Sequence, residues 1–147
     1  MTANRIKPGH DHGTGTEAAS TRLRAAGLRP TRQRVSLAGI LFHDEDRHVT
    51  AESLHEEAAR AGVRVSLATV YNTLHQFTKA GMLNEVVVDS GKAYFDTNIG
   101  DHQHFYVEDK GELIDIPGEH ISVSGVPTPP KGMAVDRVDV VVRIKRA

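Results

Sequence analysis

The chain contains no cysteine, no long apolar run and almost no excess of charge of either sign. Without cysteine it can form no disulfide framework, thiolate zinc site or iron–sulfur cluster, and it has no cysteine nucleophile. No apolar stretch approaches the roughly 20 residues needed to cross a bilayer. The opening segment, MTANRIKPGHDHGTGTEAAS, lacks the apolar core of a secretory signal. A soluble, cytoplasmic protein with no membrane partner is the expectation. A net charge of −1 over 147 residues excludes a uniformly basic or acidic binder, and 39% apolar side chains suffice for one compact domain or two small ones. What is abundant is histidine, with nine copies: the commonest metal ligand and the side chain that titrates nearest neutral pH.

The small net charge averages two unlike halves. Residues 1–81 carry eleven basic and eight acidic side chains, and residues 82–147 carry seven and eleven. Arg22, Arg24, Arg29, Arg32 and Arg34 occur with no acidic residue between them, a local basic stripe of the kind that phosphate contacts require.

Residues 1–16 are polar and without periodicity, and read as a disordered tail. Four helical patterns follow. The first runs from about Glu17 to Ala26 and stops at Gly27. The second starts after Pro30 with Thr31 as N-cap, and the third opens at Thr50 and ends before Gly62. The fourth opens at Ser66 and carries Leu67, Val70, Tyr71, Leu74 and Phe77 up to Gly81. The four-residue connection from Gly62 to Val65 makes the third and fourth helices a helix-turn-helix candidate. A strand from Leu83 to Val88, a turn at Asp89-Ser90-Gly91 and a returning strand from Lys92 to Phe95 supply the wing of a winged-helix domain. The polar, uncharged outward residues of the fourth helix, Ser66, Thr69, Asn72, Thr73 and Gln76, suit base edges in the major groove, and the arginines before them suit phosphates.

The second half reads as strands at Phe105–Val107, Leu113–Ile116 and Val135–Ile144, the last placing Val138, Val140, Val142 and Ile144 on one face. The proline-containing stretch from Gly118 to Gly132 has room for one brief helix. Such a sheet is too small to stand alone, which predicts pairing with a second copy. The fold class is therefore α+β, a winged helix-turn-helix domain (17–97) followed by a small α/β dimerisation and effector-sensing domain (98–147).

Within this second half, His102-Gln103-His104 places two imidazoles on the same side of an extended segment. Asp96 lies upstream, Asp115 on the next strand, and His48 before the third helix. Three histidines and two carboxylates form a mixed nitrogen and oxygen set suited to Fe2+, Mn2+ or Zn2+. The set draws on both domains, so a bound ion would fix one against the other. Because neutral imidazole is the ligand, a metal response should fade as pH falls below about 6. A competing reading takes His102, His104 and Glu108 as H-x-H-x3-E, half of the cupin metal motif of non-haem iron oxygenases. A cupin needs a barrel of many strands and a second histidine motif, neither of which the sequence supplies. His10, His12, His43, His55, His75 and His120 read as bystanders, and no catalytic residue is expected.

In order and spacing, LRPTRQR (28–34), HVTAE (48–52), SLATVYNTL (66–74), GKAYFD (91–96) and the H-x-H segment resemble the ferric uptake regulator family. The resemblance covers about residues 20–145 and implies a homodimeric, metal-responsive, winged-helix transcriptional regulator. The family's regulatory metal site falls on His48, Asp96, His102, His104 and Asp115, and its base-contacting tyrosine on Tyr71. The paired CxxC motifs that hold structural zinc in many members are absent, and Lys110 stands at one of their positions. That loss, together with YFDTN (94–98), GELIDI (111–116) and RVDVVVRI (137–144), resembles the iron response regulator branch. Resemblance to that branch implies haem as an effector, His102 and His104 being its candidate residues, and repression of iron and haem homeostasis genes. The three-histidine run often seen there is interrupted at Gln103. A related branch senses peroxide by oxidising its own histidine ligands.

These expectations combine into a homodimer reading an AT-rich palindromic operator on double-stranded DNA, with Arg32, Arg34, Ser66, Thr69, Tyr71 and Asn72 as DNA contacts.

Overall fold

The computed structural model describes residues 8–89 and 91–147, with side chains described from residue 15 onward. Residues 1–7 and Ser90, the middle of the predicted wing turn, lie outside the described residues, as do the side chains of His10 and His12. The chain divides into two units, one ending at Ile99 and one running from Gly100 to Ala147.

The first unit holds four helices: α1 (Pro8–Ala25), α2 (Arg32–Leu41), α3 (Ala51–Arg60) and α4 (Leu67–Lys79). Three of them open at the predicted caps. Thr31 Oγ1 accepts the N–H of Arg34 at 3.3 Å. Thr50 and Ser53 cap one another's backbone N–H groups at 3.0 Å, and Ser66 Oγ accepts the N–H of Thr69 at 3.0 Å. The turns that end α3 and α4 need a left-handed residue, supplied by Gly62 (φ 78°) and Gly81 (φ 83°). The bonds Val63 N–H to Ala58 O and Met82 N–H to Phe77 O then satisfy carbonyls that would otherwise end unpaired.

Helix α1 begins at Pro8, not at Glu17, so the segment expected to be without structure is helical from residue 8 onward. Once the buried Ala19 and Leu23 anchor the last turns, each further residue adds a bond at little cost. A proline is tolerated only at the first turn, which places the helix start.

Strands β1 (His48–Val49), β2 (Asn84–Asp89) and β3 (Lys92–Asp96) form an antiparallel sheet in the order β1-β3-β2. The hairpin β2–β3 stands where the wing is expected; β1 is an addition. Leu23, Leu37, Leu41, Leu54, Leu74 and Phe77 are wholly buried in one core cluster with Val49 and Phe95. The buried stripe of α4 is Val70, Thr73, Leu74 and Phe77. Thr73, expected to face outward, thus occupies an inward position, while Leu67 and Tyr71 are exposed. Arg22 stacks over the Phe42 ring at 4.4 Å, so the first arginine of the basic stripe is engaged in joining α1 to α2.

The second unit is a sheet of β4 (His102–Val107), β5 (Glu112–Pro117) and β6 (Val141–Ile144) in the order β5-β4-β6, with β4–β5 antiparallel and β4–β6 parallel. One 3-10 turn, Gly118–His120, follows β5. The strand expected from Val135 is thus only four residues long. Val140 N–H donates to the side chain of Gln103, distant in sequence, at 2.6 Å instead of to a backbone carbonyl, and the ladder starts one residue later. Neither sheet is the many-stranded barrel of the cupin reading, and Glu108 pairs with Arg143 at 3.3 Å. No helix among the described residues is long and apolar enough to cross a membrane.

Candidate metal and nucleic-acid sites

Two of the five predicted metal ligands are brought together by strand register in the first unit. His48 and Asp96 are direct partners across β1–β3, which places their side chains side by side on the sheet. His48 Nε2 lies 3.3 Å from Asp96 Oδ2, and the Asp96 side chain is 1% exposed. The other carboxylate oxygen, Oδ1, accepts the N–H of Asn98 at 2.9 Å, which holds the group in one orientation. Just before this pair, Arg47 donates through its two terminal guanidinium nitrogens, Nη1 and Nη2, to the carboxylate of Glu57 in α3, and its backbone exchanges bonds with Thr97. Strand β1 is therefore fastened to α3 on one side and to the residue following Asp96 on the other.

The remaining three converge in the second unit. His102 and His104 share one face of β4, and His104 is the register partner of Asp115 on β5. The Nε2 atoms of His102 and His104 lie 3.5 and 3.4 Å from the same oxygen, Asp115 Oδ1, and the two rings are 4.7 Å apart. One potential ligand atom from each of the three lies within 4.8 Å of the others. His102 Nδ1 is 2.8 Å from the carbonyl oxygen of Gly100. A carbonyl can only accept, so Nδ1 carries a proton, which leaves Nε2, the atom facing Asp115, as the nitrogen that could ligate an ion. Oriented neutral imidazole with carboxylate fits a divalent first-row ion and offers none of the all-oxygen surroundings of Ca2+. Gln103 points to the other side of the strand, where it receives the Val140 N–H.

The predicted nucleic-acid residues lie on the outer faces of α2 and α4. Arg29, Thr31, Gln33, Arg34, Thr69 and Asn72 line one open groove. Arg34 is oriented within it, donating to Gln76 Oε1 at 3.2 Å and to the Arg29 carbonyl at 2.8 Å. Arg32 lines a neighbouring groove together with Arg64, which sequence reasoning passed over. Ser66 and Thr69 hydrogen-bond one another at the start of α4. Asn72 is exposed, and Tyr71 is 50% exposed.

Of the histidines set aside, His43 is exposed and His55 Nε2 meets the Val65 carbonyl at 3.1 Å, both as expected. His75 departs from expectation. Its Nε2 is buried and has no hydrogen-bond partner among the described residues, and its ring lies between Tyr71 and Phe95. The sequence signal for it was the four-residue spacing from Tyr71 on one helix.

Residues 25–140 match the ferric uptake regulator family. A ferric uptake regulation protein of Pseudomonas aeruginosa is 39% identical over 97 residues, 65% of this chain and 72% of that protein. The Shigella flexneri protein of the same name is 34% identical over 103 residues, 69% of this chain and 70% of its own length. Among solved structures, the ferric uptake regulator of Pseudomonas aeruginosa with manganese superposes with a TM-score of 0.65 at 30% identity, covering 87% of this chain and 97% of that one. The chain therefore belongs to the ferric uptake regulator family, metal-responsive transcription regulators and not enzymes.

Proposed function

We propose that this chain is a homodimeric, DNA-binding repressor of iron and haem homeostasis genes, controlled by an Fe2+ or Mn2+ ion (Zn2+ being a further candidate) held by His48, Asp96, His102, His104 and Asp115. The observation that carries the reading is the His48–Asp96 pair on β1 and β3. Strand β3 is also the returning strand of the wing, so the ligand pair is built into the same small sheet as a DNA-contacting element. By donor number neither set is complete: a pair and a trio each fall short of the four ligands of a tetrahedral site or the six of an octahedral one. Metal can then change DNA affinity only by as much as it favours one arrangement over another.

In this reading α4 enters the major groove, Tyr71, Asn72, Thr69 and Ser66 meet base edges, and Arg32 and Arg34 hold phosphates. Two copies place their recognition helices in successive major grooves, about 34 Å apart, of an AT-rich palindromic operator. Exposed apolar side chains in the second unit, Ile114, Val123, Val126, Met133, Val135 and Val138, supply a surface for the second copy. A manganese-bound relative of the same fold supports the choice of ion. Haem follows from the resemblance to the iron response regulator branch. At His102 and His104, two rings directed at one carboxylate oxygen suit a small ion better than a flat macrocycle.

The test is operator binding by the purified protein on a duplex selected from a random pool, run in parallel with Mn2+, with haem and with neither. Titration alongside should give one ion per chain. A response to Mn2+ that His102→Ala/His104→Ala abolishes with the fold intact supports the metal reading. A response to haem alone replaces it with the haem reading. A ligand histidine that gains the mass of one oxygen atom after peroxide treatment of the iron-loaded protein replaces it with the peroxide reading.

A further inference from the structure

Tyr71 and His75 are four residues apart on α4, so their rings share one face of the helix. The ring centroids are 4.4 Å apart at 67°. His75 in turn meets the ring of Phe95 edge-on at 5.4 Å and 90°. Phe95 lies in β3, almost wholly buried, and the residue that follows it is Asp96. Across β1–β3, Phe95 pairs with Val49 and Asp96 with His48. A continuous line of ring contacts thus runs from the strand that carries Asp96 to the exposed tyrosine of α4. The His75 Nε2 atom is buried without a hydrogen-bond partner among the described residues. Its ring therefore contributes by contact, since a polar atom buried without a partner adds no stability of its own.

We propose that His75 is a positioning residue that couples β3 to Tyr71, so that metal occupancy at His48 and Asp96 is felt at the DNA-contacting ring. This rests on the reading of Tyr71 as a DNA contact and of His48 and Asp96 as ligands. Edge-to-face ring pairs have preferred arrangements, and a close-packed interior passes a small strand displacement on instead of absorbing it. His75 has no direct part in holding the ion; it sets the orientation of Tyr71 according to where β3 stands. Such coupling is a difference in free energy between two sites and needs an element that both of them bias; the Phe95–His75–Tyr71 trio is that element.

The test uses the full chain with 3-fluorotyrosine at its three tyrosines. The Tyr71 signal is identified by Tyr71→Phe and followed by fluorine NMR as Zn2+, a diamagnetic probe, is added. In the wild type Zn2+ moves the Tyr71 signal. In His75→Ala the signal should stay where it is while calorimetry still shows Zn2+ bound, and His75→Phe should restore the movement. His75→Gln, which keeps bulk without a ring, answers the same question if the alanine variant does not fold. On a duplex selected by the wild type, the ratio of zinc-loaded to metal-free affinity should fall by about five-fold or more in His75→Ala. An equal Zn2+-induced shift in His75→Ala and wild type overturns the coupling, as does a wild-type Tyr71 that does not respond to bound Zn2+. A wild type that moves Tyr71 on binding Zn2+ but selects no duplex leaves the coupling standing and removes the DNA reading beneath it.

Discussion

The two units bury their apolar residues to different extents. The helical unit buries Leu23, Leu37, Leu41, Leu54, Leu74 and Phe77 completely, and three of its helices open at side-chain caps. The sheet unit buries Tyr106, Leu113 and Ile116, leaves Met133 68% exposed, and places a histidine, His104, among its few buried side chains. A unit with fewer buried apolar side chains gains less from its own core, so a ligand bound to it contributes a larger share of its stability.

The comparison can be broken first at its strong end. Leu74→Ala should cost about 2–5 kcal/mol, read as a lowered urea midpoint for loss of the helical circular dichroism signal. A cost below that range would mean the helical core is looser than its burial implies. At the weak end, Mn2+ at a hundred times its dissociation constant should add about 2.7 kcal/mol. Hydrogen exchange should slow most in β4 and β5, and His104→Ala should cancel the gain. Uniform slowing across α2 and α3 would instead place the metal's effect on the helical unit.

A third substitution addresses the sheet unit's backbone. A Cβ at Gly118 would lie 2.7 Å from the Asp101 carbonyl oxygen, so Gly118→Ala should push Asp101 aside at a cost of about 1–3 kcal/mol. Because Asp101 precedes His102, Mn2+ affinity measured by calorimetry should fall with it. Unchanged affinity would show that His102 is held by Gly100 and Asp115 alone. The smallest effect expected is that of Thr50→Ala, which removes one half of the α3 capping box and should cost about 1 kcal/mol in thermal unfolding. A larger loss would show that the cap also supports His48 two residues earlier.

What could be read in the sequence follows the range of each interaction. The caps at Thr31, Thr50 and Ser66 and the glycines that end α3 and α4 act over three or four residues, and each stands where local chemistry places it. The shared face of His102 and His104 follows from the two-residue period of a strand. Strand β1 was not legible, because two residues carry no periodicity and its partner lies 48 positions away, from His48 to Asp96. The long terminal strand was over-read for the complementary reason: alternation of valines reports a face and says nothing of a partner. A side chain distant in sequence, Gln103, takes the Val140 N–H that would have extended the ladder. Tyr71 and Thr73 exchanged roles on α4 because both fit a helical period, and only the neighbouring elements decide which of them turns inward.

Strand β3 constrains how this molecule can change over evolutionary time. Phe95 and Asp96 are consecutive, one directed to the apolar core and the next to His48. Inserting or deleting a single residue within the strand would exchange their faces, sending the carboxylate into the core and the ring out of it. The wing is therefore free to vary in length only away from that end, and the register shift between Val87 and Asp89 marks where an extra residue can be absorbed. Changes of length are therefore tolerated at the hairpin tip and costly at the two-residue step at its base.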